Sequence, residues 1–159
     1  MLILELLVLL LAAHGSPVLG RVLLGHRGNK PVDGGRIWRD GERLLGDSKT
    51  WRGLIVGVAA TALCSALMGM GALFGALFGA LGLLGDLISS FIKRRRHMRS
   101  SARATGLDQL PEAFLPVLFG AFWIGYGWVV VVVTVVSFMI ANIVLSPLLY
   151  RLGIRRQPH

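Results

Sequence analysis

The sequence predicts an all-α, polytopic membrane helix bundle of five transmembrane helices, N-terminus outside and C-terminus cytoplasmic, and three observations carry that expectation. Apolar residues make up 54% of the 159, and the mean hydropathy is +0.67. Two uncharged runs, 33 residues from Gly53 to Gly85 and 38 from Ala113 to Tyr150, each exceed the ~20 apolar residues that cross a bilayer. The 17 Lys and Arg fall in three blocks: eight from Arg21 to Arg52, six from Lys93 to Arg103, and three at Arg151, Arg155 and Arg156. Basic blocks beside apolar runs mark cytoplasmic loops. The net charge of +9 is therefore read as a topology signal, and no nucleic-acid partner is expected. The same composition excludes a disordered chain, a coiled coil and, with Cys64 as the one cysteine, a disulfide scaffold.

If all three basic blocks are cytoplasmic, each uncharged run must return to the side it left, so each is a helical hairpin. The first helix is expected over 2–20, where Pro17 should kink or end it. Its apolar core, Leu6 to Ala13, is compact like that of a signal peptide, but Glu5 stands where a basic n-region belongs. The run from Gly53 to Gly85 is roughly 50 Å long as one helix, too long for one span. It should break near Leu67 to Gly71, giving helices over 53–67 and 70–91. The second run should break at Gly125-Tyr126-Gly127, giving helices over 112–125 and 128–149, the last rich in valine. One integral-membrane domain over 1–159 results, with cytoplasmic loops at 21–52 and 93–111.

The first loop mixes glycines, cations and four carboxylates between Gly25 and Gly53. Glycine lets backbone amides approach phosphate oxygens closely, so this loop either wraps a phosphate-bearing ligand or is a solvated topology signal. Gly46-Asp47-Ser48-Lys49-Thr50 looks like the end of a phosphate-binding P-loop, yet Ser48 stands where glycine is needed and no strand precedes it.

The third helix carries a sharper pattern. At ~100° per residue, Asp86, Ser90, Lys93 and His97 share one face, and the same face continues backwards as Gly71, Gly75, Gly79 and Gly82. Such a glycine ladder serves close helix packing, within the bundle or in a homodimer. A carboxylate such as Asp86 at the end of a packed membrane helix is costly unless it is paired or holds a cation. Basic positions default to arginine, with 14 Arg against three Lys, and Lys30, Lys49 and Lys93 all sit in motif-like settings. A compact ammonium suits a phosphate oxygen differently from a guanidinium fork. Arg95, Arg96, Arg99 and Arg103 are read as headgroup-facing topology signals.

At these residues the sequence resembles the CDP-archaeol synthase family, relatives of the phosphatidate cytidylyltransferases, over almost its full length. The carriers are Gly15-Ser16-Pro17-Val18, Pro31-Val32-Asp33-Gly34-Gly35, Gly46 to Gly53, Gly85 to Arg95, Asp108-Gln109-Leu110-Pro111 and Ala141-Asn142-Ile143. The resemblance implies a multi-pass enzyme of the cell inner or plasma membrane, with its active site on the cytoplasmic side. It implies use of CTP and Mg²⁺ to turn an isoprenoid ether lipid phosphate, 2,3-bis-O-geranylgeranylglycerol 1-phosphate, into CDP-archaeol with release of pyrophosphate. Phosphatidate is the alternative acceptor, and a non-catalytic scaffold or transporter subunit the alternative class. Membrane lipids are expected partners on either view.

By the same resemblance, Asp86, Lys93 and Asp108 are the catalytic residues, with Asp86 and Asp108 as the metal carboxylates. Asp33 is a further metal or nucleotide ligand. Lys49, Arg52, Lys93 and Arg94 bind the triphosphate and leaving pyrophosphate, with Gly34, Gly35, Thr50 and Ser90 as backbone or hydroxyl contacts. The attacking phosphate is already an anion, so His14, His26, His97 and His159 are expected to be non-catalytic. The chain departs from the family pattern in the Arg- and Ser-rich segment from Arg94 to Leu107, in Glu112 where an aromatic commonly follows Leu-Pro, and in its tail.

Overall fold

The computed structural model describes residues 1–24, 29–98 and 106–151, with side chains described up to Arg21 in the first segment and up to Val144 in the last. Parts of the two expected loops (25–28 and 99–105) and the expected cytoplasmic tail (152–159), with His26, Arg99, Arg103, Arg155, Arg156 and His159, lie outside the described residues.

Five helices follow one another: α1 (Leu2–Leu24), α2 (Trp51–Leu67), α3 (Ala72–Arg95), α4 (Gln109–Ile124) and α5 (Trp128–Arg151). Among the described residues there is no strand, only isolated bridges pairing Pro31 with Thr50 and Ile37 with Arg43. The segments Leu2–Arg21 and Ala72–Arg95 are long and apolar enough to cross a membrane, and Trp51–Leu67, Gln109–Ile124 and Trp128–Val144 are shorter apolar helices.

Pro17 does not end α1, which continues to Leu24. A proline in a helix removes the N–H that would bond the carbonyl four residues back and crowds that carbonyl. Here that group is Ala13 C=O, and Gly57 of α2 lies against it. A Cβ at Gly57 would stand 2.8 Å from the Ala13 oxygen and 3.4 Å from the Pro17 ring. The missing side chain at Gly57 lets α2 pack closely against α1 at this point.

Both expected breaks are turns. Between α2 and α3, Gly69 and Gly71 adopt φ of 79° and 90°, and Ser65 Oγ donates to the Gly71 carbonyl at 2.8 Å. After α4, Gly125 takes a left-handed φ of 88°, the conformation that favours glycine at a helix end. Tyr126 Oη then donates to Val117 O at 2.6 Å, folded over Gly120.

The glycine ladder packs within the chain. Cβ atoms at Gly75 and Gly79 would stand 2.3 Å from Ser65 Cβ and 2.9 Å from Thr61, both on α2, while one at Gly85 would stand 2.2 Å from the Pro111 carbonyl oxygen of α4. Gly71 departs from the ladder and caps α3 instead. The apolar core joins Leu6, Leu9 and Leu10 of α1 to Phe74 and Phe78 of α3, Ala113 and Val117 of α4, and Val131, Val135 and Phe138 of α5. Phe74, Phe119 and Trp123 extend it as an aromatic stack. The opposite end of α3 carries the polar residues.

Candidate active site

The polar end is assembled from the loop before α2, the last turns of α3 and the start of α4. Asp33 organises the loop. Its buried carboxylate accepts from the amides of Gly35 (3.1 Å), Leu45 (3.0 Å) and Gly46 (3.0 Å) and from Arg43, through Nη2 at 2.7 Å and Nε at 3.3 Å. Arg43 Nη1 also grips Asp47 at 2.9 Å. Burial pushes the Asp33 carboxyl up, but Arg43 and the three amides outweigh it and hold the group well below the usual carboxylate range. Both oxygens are thus engaged inside the loop, so Asp33 has an organising set of contacts besides the metal or nucleotide role expected of it. Gly34 and Gly35, at φ of 56° and 84°, make the turn that follows it. They are exposed beside a cleft of about 310 Å³ lined by Val32, Asp33, Gly34, Arg36, Leu44 and Leu45.

The two ends of the loop are tied together by Val32 N donating to Lys49 O (2.8 Å) and Trp51 N to Lys30 O (3.0 Å). Lys49 is thereby fixed at the head of α2, and its ammonium pairs with the Asp86 carboxylate of α3. Burial pulls the Lys49 pKa down, but Asp86, with Glu112 and Asp108 acting electrostatically, raises it above the ordinary lysine value. Thr50 caps α2, its Oγ1 accepting from Gly53 N at 3.2 Å. Arg52, in the first turn, donates to Asn29 Oδ1 at 3.4 Å.

On α3, Ser90, Lys93 and Arg94 are all buried. Lys93 Nζ pairs with Asp108 Oδ1 at 2.7 Å, across to the entrance of α4. Arg94 Nε is buried with no hydrogen-bond partner among the described residues. His97 leaves the expected polar face: it lies past the end of α3 at φ 52° and contacts Glu42 at 3.2 Å. Arg95, read from sequence as a headgroup-facing cation, instead packs against Trp38 and Phe91 and pairs with Asp40.

The structure therefore brings Lys49, Asp86, Lys93 and Asp108 to one end of the bundle, with Ser90 and Arg94 on the same stretch of α3. Thr50 and Asp33 have structural partners instead. Two participants were not expected. Glu112 of α4 stands near Asp86, and His14 of α1 lies 4.0 Å from Glu112 with its Nε2 buried and without a hydrogen-bond partner among the described residues. The available signal for Glu112 was its spacing from Asp108, since positions four apart share a helix face. Among the described residues no three His, Cys, Asp or Glu side chains form a group that could hold a metal ion. Mg²⁺ commonly uses one or two carboxylates, with substrate phosphates and waters completing its shell, and Asp86 and Asp108 meet that smaller requirement.

The family profile described as CarS-like: CDP-archaeol synthase matches residues 1–75 and 65–159. A CDP-archaeol synthase of Thermococcus gammatolerans is 47% identical over 109 residues, 62% of this chain and 60% of that protein. One from Halorubrum lacusprofundi is 38% identical over 155 residues, 82% of this chain and 84% of that protein. The chain thus spans about 60% of the length of the Thermococcus relative. A solved structure described as an intramembrane enzyme for archaeal membrane lipids biosynthesis superposes with a TM-score of 0.70 at 29% identity, covering 87% of this chain and 90% of that one.

Proposed function

Since the chain belongs to the CDP-archaeol synthase family, we propose that it is a membrane CTP-dependent cytidylyltransferase that transfers CMP from CTP to 2,3-bis-O-geranylgeranylglycerol 1-phosphate, giving CDP-archaeol and pyrophosphate. The observation that carries this reading is the pair of lysine–carboxylate contacts, Lys49 with Asp86 and Lys93 with Asp108, set at one end of an apolar bundle. The bundle spans the membrane five times, N-terminus outside, with this end on the cytoplasmic side where CTP is available.

In the reaction a lipid phosphate oxygen attacks the α-phosphorus of CTP, a new P–O bond forms, and the bond to the β-phosphate bridging oxygen breaks as pyrophosphate leaves. The difficulty is electrostatic, since several anions must be held in line and charge builds on the leaving oxygens. Lys49 and Lys93, now neutralising carboxylates, turn to phosphate oxygens when the substrates arrive. Their flexible ammonium groups can exchange partners without a fixed fork geometry. Arg52 and the buried Arg94 add fixed positive charge for the triphosphate and the leaving group. Ser90 offers a hydroxyl beside them, and Gly34 and Gly35 present loop backbone. Asp86 and Asp108 would hold Mg²⁺, which when bound neutralises phosphate charge.

The test is pyrophosphate release by the purified protein with CTP and Mg²⁺, comparing the geranylgeranyl ether phosphate with phosphatidate. Turnover with the ether lipid is expected. Turnover with phosphatidate alone overturns the acceptor, and no release with either overturns the enzymatic reading.

A further inference from the structure

Arg95 is the cation of α3 outside the phosphate-facing pair Lys93 and Arg94, and its side chain contacts none of the residues that would meet a substrate. Its guanidinium sits 5.1 Å from the Phe91 ring centroid and 5.8 Å from that of Trp38, and the two rings meet edge to face at 5.8 Å. Nη1 pairs with Asp40, and Nη2 donates to the carbonyls of Arg43 (2.7 Å) and Glu42 (3.4 Å). Trp38, Asp40, Glu42 and Arg43 belong to the loop, while Phe91 and Arg95 belong to α3. One side chain thus spans some 53 residues of sequence separation to hold the loop against the helix.

From there the contacts run on to the site. Arg43 holds Asp33, Asp33 holds the amides of Gly35, Leu45 and Gly46, and the Gly46 carbonyl accepts from Lys49 N at 3.3 Å. Lys49 then meets Asp86, nine residues before Arg95 on the same helix. The loop is therefore attached to α3 through the Lys49 ammonium at one place and through Arg95 at another, where Trp38 also meets Phe91 and Glu42 meets His97 just past the helix. A lysine–carboxylate contact must open to let Lys49 take a phosphate. A second attachment that stays closed is what would keep the loop in place at that moment.

We propose that Arg95 is a positioning residue for the nucleotide half of the reaction, clamping the glycine-rich loop to the end of α3 so that Lys49 and the Gly34-Gly35 turn stay in register with Asp86 when Lys49 changes partner. This rests on the CTP-using reading above. An arginine is needed because the same group must lie against two rings, pair with a carboxylate and donate to two carbonyls, which an ammonium cannot do at once.

The experiment compares full-length wild type with Arg95→Ala and Arg95→Lys. Arg95→Ala is expected to raise KM for CTP by ~10-fold, with a smaller fall in kcat and KM for the lipid phosphate within about twofold, and Arg95→Lys to recover the loss only in part. Hydrogen–deuterium exchange, which needs no substrate, should show the amides of Gly35, Leu45 and Gly46 exchanging faster in Arg95→Ala while α5 is unchanged. Equal changes in the two KM values, full rescue by lysine, or unchanged loop exchange would each overturn the clamp. A wild-type protein inert toward CTP overturns the nucleotide reading instead, and the exchange result still decides whether the clamp exists. Should Arg95→Ala fail to fold, Asp40→Asn and Trp38→Ala each remove one limb and must move KM for CTP and loop exchange in the same direction by less; no movement in either variant sinks the proposal.

Discussion

Asp33, in the loop, and Asp86, between α3 and α4, both lie at the polar end of the bundle, yet their surroundings differ in kind. Asp33 is held by five donors, all drawn from within 13 residues of chain. Asp86 is held by Lys49, 37 residues away, with the Glu112 carboxyl of another helix close by. A carboxylate saturated by its own loop has no lone pair left for a ligand, and removing it undoes local structure. A carboxylate whose main partner is a flexible ammonium can exchange that partner for a metal ion while the ammonium takes a phosphate. On the proposed function, the difference separates an organising acid from a working one, although both stand in Asp-containing motifs.

The sharpest way to break this comparison is to neutralise each acid in turn. Asp86→Asn, measured as pyrophosphate release with CTP, Mg²⁺ and the ether lipid phosphate, should lower turnover by at least ~10³-fold with the helical circular dichroism retained. Retention of more than a tenth of the activity would move Asp86 into the organising class.

The second contrast is between glycines. Gly85→Ala places a methyl against the Pro111 backbone, which cannot give way as a side-chain tip would, so α4 must shift. Destabilisation of about 2 kcal/mol is expected in thermal unfolding, together with loss of activity because Glu112 and Asp108 move with α4. Gly34→Ala meets nothing within 4 Å. It strains only a residue at φ 56°, so about 1 kcal/mol is expected, confined to the loop.

At Asp33 the expected effect falls on binding rather than on turnover. Asp33→Ala should raise KM for CTP by ~10-fold and leave kcat within about threefold, because the loop loosens while Asp86 and Asp108 remain. Its pH dependence has a definite sign. The folded Asp33 pKa lies below the unfolded value of about 3.9, so its contribution is complete above that value and is lost as pH falls through the depressed folded pKa. Protection of the Leu45 and Gly46 amides should therefore be the same at pH 7 and pH 5 and decline only below about pH 4. Lys49 behaves oppositely: its raised pKa means that its contribution is intact below about 10.4 and is lost on raising pH through the folded value.

Much of the helical plan was legible in the chain because its signals are local. The long uncharged runs, the LMGMG and Gly-Tyr-Gly breaks and the three basic blocks are read directly, and the turns sit where the positive-φ glycines stand. Asp86, Lys93 and the glycine face could be placed on one side of α3 because helical spacing alone aligns them. Pro17 reads as a kink or an end of α1, and of the two the structure excludes the end. A less local fact was misread. Arg95 looked like one of a run of surface cations because Trp38 and Asp40, which capture it, lie more than 50 residues earlier.

Composition, helical period and turn chemistry, then, determined five apolar helices, the loops between them and the residue types able to handle phosphate, since each depends on neighbours within a few turns of chain. Only the tertiary structure decided that Asp33 is ringed by donors of its own loop, that Asp86 meets Lys49, that Arg95 lies against Trp38 and Phe91, and that Glu112 stands near Asp86. Those distinctions depend on how many donors surround a carboxylate and from which elements they come, and that is set by the close approach of helices at Gly85 and by the closure of the loop on α3.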